Sequence, residues 1–307
     1  MKKVLFFDPH LNERGTSIAT YDYAYYNETI LGNKSIIASL TSSELKSYNK
    51  FNDRFEVIMC KDTAELSNIE CDYMYVLKFG TNDGVLHKNA KNLVHVVFPS
   101  YDPHGDVYAY ISKWLAEAHG KNSLFVPHMV NLPEVKEDFK DFFKIKDKLV
   151  VGWYGGDNFD ISFAQQAVIE AASKRSDIVF LFMNQSAFCD IDNVIFVKGT
   201  TDQEQKVAFI NTCNVMIHAR ERGETFGLAV AEFSSKNKPI ITYFDSPERN
   251  HLVQLRDKGI YYSNYSELLN ILLNIQLSDI QHREWNQYTD FTPEKVINQF
   301  NNVFLWN

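Results

Sequence analysis

Residues 215 to 243, VMIHARERGETFGLAVAEFSSKNKPIITY, decide the fold of this chain. They predict an apolar strand at 215–219, a charged loop at 220–223, a helix at about 225–236 and a second apolar strand at 239–243. A strand, a helix and a second strand in this order form a βαβ unit. The stretch therefore predicts an α/β protein.

The helix predicted in this stretch points its N-terminus at a ligand site. One face should anchor it, because apolar residues lie at i, i+3, i+4 and i+7: Phe226, Ala229, Val230 and Phe233. Its free N–H groups then face the carboxyl edge of the sheet, where α/β proteins bind ligands, so an anion is expected there. Glu224 and Glu232 bracket the helix start, about 12 Å apart along the axis. A nucleotide-sugar, whose diphosphate carries a sugar on each side, suits this spacing.

The same residues carry a resemblance to a known family. Glu224, seven intervening residues and Glu232, with Phe226-Gly227 inside and Pro239 leading the next strand, resemble the E-x(7)-E motif of retaining glycosyltransferases of family 4. The resemblance implies the GT-B fold, in which two Rossmann-like, doubly wound domains face a cleft. It also implies transfer of a sugar, of the hexosyltransferase type, from a nucleotide diphosphate-sugar to an acceptor hydroxyl, with retention of configuration and no metal or other cofactor.

Family roles follow for the matching positions. The resemblance implies that Glu224 is catalytic and contacts the donor sugar, and that Glu232 holds the ribose hydroxyls. The amides that would meet the diphosphate belong to Thr225, Phe226 and Gly227. Read without the family, Glu224 is a solvated acid at a helix start, and Glu232 pairs with Lys236 four residues later.

Composition fits an ordinary globular protein of two domains. The chain has 307 residues, of which 45% are hydrophobic and 23% are charged, with a formal net charge of −8. We find no basic stripe, which argues against nucleic acid as a partner, whereas contact with a membrane surface stays open. The N-terminus has too few apolar residues for a signal peptide or a membrane span, so we expect a cytosolic (cytoplasmic) protein. Four widely spaced cysteines predict reduced thiols, with neither a zinc site nor disulfides.

Alternating strands and helices predict a doubly wound parallel sheet in each domain. We place a Rossmann-like domain on the acceptor side at 1–147 and the nucleotide-sugar-binding domain at 148–290. The segment at 291–307 is predicted to be a helix, and in GT-B chains such a helix often crosses back onto the first domain. The acceptor is left open between a glycan, a lipid-linked molecule and a small molecule.

Two loops of the first domain hold candidate residues. Arg14, Gly15 and Thr16, between the first strand and a helix, look like the GT-B loop that faces the cleft. The alternative is a plain helix cap at Thr16 or Ser17. His104, in a loop between a strand at 93–98 and a predicted helix at 107–119, matches by location a family histidine that reaches the donor sugar. The alternative is that Asp102 and Asp106 cap that helix while His104 is solvated.

The second domain departs from the family at its first loop. Gly155 and Gly156 follow a strand at 149–154 and allow a ligand to approach the backbone, but the Arg and Lys that many family members carry near here are missing. We expect Arg220 or Arg222 to meet the diphosphate instead, with Arg222 favoured and the other solvated or paired with Glu221. Lys198, at the end of a later strand, is placed near the nucleotide base.

Two other functions remain open. A nucleotide-sugar epimerase also has the GT-B fold and also needs carboxylates around a hexose. A non-catalytic subunit that binds a nucleotide-sugar would explain the missing Arg and Lys. A D-x-D motif directly after a strand could hold Mg²⁺ or Mn²⁺. Asp190-Ile191-Asp192 has this spacing but follows Cys189 in a loop, so we expect no metal ion.

Overall fold

A computed structural model describes residues 1–12, 15–41 and 45–306. The chain divides into two compact units. The first comprises Met1–Met129 with Asp290–Asn307, and the second comprises Val130–Thr289. Among the helices that the structure describes, none is both long and apolar enough to span a membrane.

The first unit is built on a parallel sheet that has seven strands within the described residues. Its strands are β1 (Lys3–Phe7), β2 (Lys34–Leu40), β3 (Glu56–Cys60), β4 (Tyr73–Lys78), β5 (Lys91–Val96), β6 (Val107–Tyr110) and β7 (Leu124–Phe125). Their order across the sheet is β3-β2-β1-β4-β5-β6-β7, so the direction of winding reverses between β1 and β4. The central strands are apolar and buried on both faces, as helices covering a parallel sheet require.

Helices and short turns connect these strands. They are α1 (Gly15–Thr29), a 3-10 helix (Thr63–Asn68), α2 (Leu45–Asn52) and α3 (Lys113–His119). The sequence prediction of one helix over 107–119 was wrong, because β6 occupies Val107–Tyr110 and α3 begins only at Lys113. Ser112 separates the two elements, and its side chain accepts a hydrogen bond from the Leu115 amide, as an N-cap does. Val107, Ala109 and Tyr110 are buried as residues of the sheet rather than on a helix face.

The second unit repeats this architecture. Its main sheet contains β8 (Leu149–Tyr154), β9 (Ile178–Met183), β10 (Val194–Val197), β11 (Val215–His218), β13 (Ile240–Tyr243) and β15 (Gly259–Tyr262), all parallel. A pair of two-residue strands lies apart from it, namely β12 (Gly223–Glu224) and β14 (Glu248–Arg249). The order β10-β9-β8-β11-β13-β15 reverses between β8 and β11. Dinucleotide-binding Rossmann sheets have this same order.

Eight helices cover this second sheet or follow it within the described residues. They are α4 (Lys140–Phe143), α5 (Ser162–Lys174), α6 (Gln203–Thr212), α7 (Leu228–Ser235), α8 (Asn250–Leu255), a 3-10 helix (Arg256–Lys258), α9 (Tyr265–Asn274) and α10 (Leu277–Ile280). The βαβ unit predicted at 215–243 is confirmed as β11, α7 and β13. Its helix starts three residues later than predicted, because Gly227 has a left-handed backbone (φ +87°) and ends the preceding extended segment.

The chain ends in α11 (Pro293–Phe300) and one π-helical turn (Asn301–Leu305), which pack within the first unit. Phe300 lies between the rings of Tyr23 and Tyr75, at centroid distances of 5.1 and 5.3 Å. Lys2 also donates a hydrogen bond to the Leu305 carbonyl. Burial of these aromatic side chains therefore ties the C-terminal segment to the first sheet.

Candidate functional site

The candidate residues of the second unit meet where the order of its sheet reverses. Gly155 and Gly156 directly follow β8, and Arg220 to Gly227 follow the adjacent strand β11. Parallel neighbours end at the same edge of a sheet, and the reversal opens a crevice there in which α/β proteins bind their ligands. The fold thus brings most of the predicted donor-binding residues of this unit to one edge.

Glu224 lies at the centre of this edge and is held from two sides. Its Oε1 is 3.2 Å from Nε2 of His218, and its Oε2 accepts a hydrogen bond of 2.9 Å from Arg220. Burial favours the neutral acid, but the hydrogen bond with His218 and the charge of Arg220 outweigh it and lower the pKa of Glu224 below its ordinary value. Glu224 is therefore an ionised carboxylate of fixed orientation. The alternative, in which Glu224 is a solvated acid at a helix start, was wrong.

His218 reaches Glu224 because of its position on the sheet. It is the last residue of β11 and stands in register with Thr242 on β13, whose hydroxyl lies 2.9 Å from Nδ1 of the imidazole. Both side chains are fully buried. Sequence reasoning missed His218, since it reads as one more residue of an apolar strand. The available signal was a polar residue at the carboxyl end of a buried strand.

Arg222 forms a second ion pair beside the first. Its Nε donates to Oε1 of Glu248 at 2.6 Å, and the Glu248 amide donates to the Arg222 carbonyl at 2.9 Å. The pairing of β12 with β14, which sets Gly223 opposite Glu248, brings the two residues together. Glu248 is buried, and the burial raises its pKa despite the neighbouring Arg222 charge. We expected the second arginine to be solvated or to pair with Glu221, but Arg220 pairs with Glu224 and Arg222 pairs with Glu248.

Glu232, on α7, has a side chain that is only 4% exposed. Its Oε1 accepts a hydrogen bond of 2.5 Å from Nζ of Lys206, which α6 places opposite it, and both side chains are almost fully buried. The pairing with Lys236 that the helical spacing suggested was wrong. Lys236 instead donates to the Pro133 carbonyl and lies 3.8 Å from Glu134. The other Glu232 oxygen is buried and makes no hydrogen bond in the structure.

Two glycines shape the loop that carries Glu224. Gly223 has φ +79°, and a Cβ there would come within 2.1 Å of the Glu248 carbonyl oxygen. Gly227 has φ +87°, and a Cβ there would lie 3.1 Å from Cβ of Glu224 and 3.5 Å from Cβ of His251. Only glycine meets both the backbone conformation and the close packing. Thr225 and Phe226 lie buried between these two glycines. Because α7 begins at Leu228, the free amides at its N-terminus belong to Leu228 and the residues after it.

The first loop of the second unit lies beside this site. Gly156 is exposed, and the Gly155 carbonyl accepts a hydrogen bond of 2.9 Å from the side chain of Asn184 at the end of β9. Lys198 is exposed and follows β10, the outer strand of the sheet. Three strand spacings separate β10 from β11, roughly 14 Å. Lys198 is therefore not brought next to Glu224.

The candidates of the first unit lie at its own sheet. Gly15 is the first residue of α1 and is exposed, while Thr16 lines a cavity of about 150 Å³ together with Asp8 and His10. Asp8 follows β1 directly and accepts a hydrogen bond of 2.5 Å from the side chain of Ser17. The alternative of a plain helix cap at Thr16 or Ser17 was wrong, because both residues lie inside α1. Arg14 lies outside the described residues.

His104 lies in the loop between β5 and β6 and is buried, so the alternative in which it is solvated was wrong. Its Nδ1 is 2.6 Å from the Asp102 carbonyl oxygen, and its ring lies 5.6 Å from that of Tyr108. The loop leaves the carboxyl end of β5 and runs back to the amino end of the same strand. There the Asn92 amide donates to the Asp106 carboxylate, and the Asp106 amide donates to the Asn92 carbonyl. The expectation that Asp102 and Asp106 cap a helix was wrong. Asp102 instead accepts a hydrogen bond from the Asn82 amide.

No group of three or more histidine, cysteine and carboxylate side chains suited to a metal ion occurs in the part of the chain that the structure describes. Asp190 and Asp192 lie in the irregular segment between β9 and β10. Independence of metal stays a prediction.

No family model matches this chain, and neither does any curated protein. Solved structures do match along its whole length. HepE from Anabaena, in complex with UDP-glucose, aligns with a TM-score of 0.73 and 13% identity over 100% of both chains. Sucrose-phosphate synthase from Thermosynechococcus elongatus aligns with a TM-score of 0.69 and 12% identity over 100% of this chain and 99% of its own. A protein from Listeria monocytogenes, assigned as a UDP-N-acetylglucosamine 2-epimerase, aligns with a TM-score of 0.63 and 11% identity over 99% and 97%.

These likenesses and the two doubly wound sheets give the chain the GT-B fold. The predicted fold class is confirmed. At 11 to 13% identity the likeness establishes fold alone, so reaction and substrates must be argued from the residues themselves.

Proposed function

We propose that this protein is a glycosyltransferase that moves a sugar from a nucleoside diphosphate donor to an acceptor hydroxyl. One observation carries the proposal, namely the ionised, doubly anchored Glu224 at the reversal point of a Rossmann-ordered sheet, beside the N-terminus of α7. A carboxylate there can contact the donor sugar while the helix amides contact the diphosphate. Because HepE, with the same fold, was crystallised with UDP-glucose, UDP-sugars are the first donors to test.

The remaining donor contacts follow from the same edge. Gly155 and Gly156 allow the diphosphate to approach the backbone, and Thr225, Phe226 and Gly227 lead into α7. Glu232 presents a buried oxygen that makes no hydrogen bond in the structure, and we assign it to the ribose hydroxyls. Lys198 is assigned to the base end of the nucleotide. In the first unit, His104, Arg14, Gly15 and Thr16 remain the proposed contacts to donor or acceptor.

We assign the negative charge of the diphosphate to Arg220 or Arg222. Both arginines are paired with a carboxylate, but the Arg220 side chain is 23% exposed, whereas the Arg222 side chain is 50% exposed. We therefore expect Arg222→Met to weaken binding of a nucleoside diphosphate roughly 10- to 100-fold, the usual range for a lost charge-assisted hydrogen bond. Arg220→Met should leave this affinity nearly unchanged and lower turnover, because it frees one oxygen of Glu224. Calorimetric titration with UDP and GDP measures both.

Arg222→Lys is the matched control for charge. It keeps the positive charge but not the guanidinium geometry, so it should recover part of the lost affinity. If neither arginine affects binding, the phosphate charge is met from the first unit, with Arg14 as the next candidate, or the protein does not bind a nucleotide-sugar at this edge.

The proposed function is tested by turnover. Release of nucleoside diphosphate from UDP- and GDP-sugars should depend on an acceptor and should persist in EDTA, since we propose a metal-independent reaction. NMR of the product should show the anomeric configuration of the donor, which is retention. Activity that EDTA abolishes and Mn²⁺ restores would contradict metal independence, and an inverted product would contradict retention.

A nucleotide-sugar epimerase is the second candidate, and the likeness to the Listeria protein favours testing it. Incubation of donors without acceptor separates the two, because an epimerase produces the epimeric nucleotide-sugar and a transferase slowly releases nucleoside diphosphate. Donor binding with no product in either assay would indicate a non-catalytic binding subunit.

A further inference from the structure

A buried chain of hydrogen bonds runs behind Glu224. It passes from the Thr242 hydroxyl to Nδ1 of His218 at 2.9 Å, from Nε2 of His218 to Glu224 at 3.2 Å, and from Glu224 to Arg220 at 2.9 Å. The strand register of β11 and β13 creates its first link, and the loop that follows β11 creates the others. The backbone of these two strands and of the loop therefore determines where the side chains of this hydrogen-bonded chain lie.

The proton positions in this chain follow from chemistry. An ionised carboxylate only accepts hydrogen bonds, so Nε2 of His218 must carry the hydrogen that faces Glu224. Nδ1 faces the Thr242 hydroxyl, which can either donate to this nitrogen or accept a hydrogen from it. In both arrangements the imidazole donates to Glu224 through Nε2.

The ring of His218 is also held in place by its surroundings. Trp153 and His251 lie against it at centroid distances of 5.5 and 4.8 Å, and the hydroxyl of Tyr262 donates to its backbone carbonyl at 2.9 Å. His218 is fully buried, so its imidazole cannot exchange Glu224 for water.

We propose that His218 is a positioning residue of this site: anchored by Thr242, it donates the hydrogen bond that fixes the Glu224 carboxylate for contact with the donor sugar. The hydrogen bond itself stands on the structure, whereas its use in turnover rests on the proposed function. His218 does not itself touch the substrate and acts through Glu224.

A pH dependence follows from this role. His218 and Arg220 lower the pKa of Glu224, and the Glu224 charge in turn raises the pKa values of the neighbouring Glu248 and Tyr288. The hydrogen bond with His218 is the largest influence that lowers the pKa of Glu224 against the effect of burial. If turnover needs the ionised carboxylate, activity is lost as the pH falls through this pKa. Removing the imidazole raises the pKa, so the acid limb of the kcat/KM profile should move to higher pH.

The test compares His218→Phe with His251→Phe. Both histidines are fully buried and their rings are in contact, but the His251 nitrogens make no hydrogen bond and His251 does not contact the Glu224 carboxylate. We expect His218→Phe to lower kcat about tenfold with the donor KM within about twofold, and to move the acid limb up by about 0.5 to 1 pH unit. His251→Phe should leave the acid limb in place. An unmoved limb in active His218→Phe would overturn the proposal.

Two further variants keep the test decisive if His218→Phe does not fold. His218→Gln can still donate to Glu224 and should stay near the wild-type profile, whereas Thr242→Val releases the imidazole and should shift the limb in the same direction as His218→Phe. A shifted acid limb in His218→Gln together with an unshifted one in Thr242→Val would also overturn the proposal.

A measurement without substrate separates this inference from the proposed function. In protein labelled with ¹³C at glutamate side-chain carboxyls, the Glu224 signal is the one missing from Glu224→Gln. Its titration midpoint should rise in His218→Phe and not in His251→Phe. A shifted midpoint in a protein that turns over no donor would contradict the proposed function and leave the hydrogen bond established, whereas an unshifted midpoint would contradict the role of His218.

Discussion

Replacing Lys206 with methionine should lower the free energy of unfolding of the second unit by about 3 to 5 kcal/mol, the usual result of leaving one member of a buried ion pair alone. Lys206 and Glu232 are only 2% and 4% exposed at their side chains and lie 2.5 Å apart. Methionine fills similar space but supplies no charge, so the Glu232 carboxylate would stay buried without its counter-ion. Chemical denaturation followed by tryptophan fluorescence measures the loss, since Trp153 and Trp285 lie buried in this unit.

Lys236→Met is the matched control, because Lys236 is the partner that helical spacing suggested for Glu232. Its ammonium lies 3.8 Å from Glu134, whose side chain is 98% exposed, so the change should cost less than about 1 kcal/mol. The double variant Lys206→Met/Glu232→Gln should recover much of the stability, since it removes both buried charges. Equal small losses in Lys206→Met and Lys236→Met would contradict the buried pair.

This pair also decides how the ribose contact of Glu232 should be tested. Glu232→Ala would leave the Lys206 ammonium buried and alone, so weaker donor binding could reflect a distorted unit rather than a lost contact. The double variant removes the carboxylate without an unpaired charge. Donor affinity measured in that background is the appropriate test of the ribose contact.

The sequence predicted the βαβ unit at 215–243 well, because its strands are short apolar runs and its helix has a clear apolar face. The predicted start of the helix was less accurate, since it depends on the left-handed backbone of Gly227, which cannot be deduced from the residue type. The segment 107–119 was read as one helix because short apolar runs suit either structure. Pairing of Val107 with Leu93 on the neighbouring strand decided the matter.

Long-range partners in the site were beyond sequence reasoning. His218 bonds Thr242, which is 24 positions away, and Lys206 bonds Glu232 across 26 positions. Spacing rules apply only to residues that are close in sequence, such as those three or four positions apart on a helix. They therefore suggested Lys236 as the ion-pair partner of Glu232, and Glu221 as the partner of an arginine. Glu224 and Glu232 themselves could be identified from their spacing around the helix start. Their partners depend on which strands and helices become neighbours.

Glu224→Gln should lower kcat by about 10² to 10³-fold, the range seen when one fixed electrostatic contact to a transition state is removed. As the bond from the sugar to the diphosphate breaks, positive charge develops on the sugar ring, and an ionised carboxylate stabilises this charge more than it stabilises the ground state. Gln keeps the size and hydrogen-bonding capacity of the side chain but not its charge, so the donor KM should change only a few-fold.

The matched control is Glu221→Gln, which alters an exposed acid of the same loop and should leave both constants unchanged. Steady-state rates over a range of donor concentrations measure both effects. Near-wild-type kcat in both variants would make Glu224 a structural carboxylate that only neutralises Arg220. The donor sugar would then have to be contacted by other residues, and the central step of the proposed reaction would lose its basis.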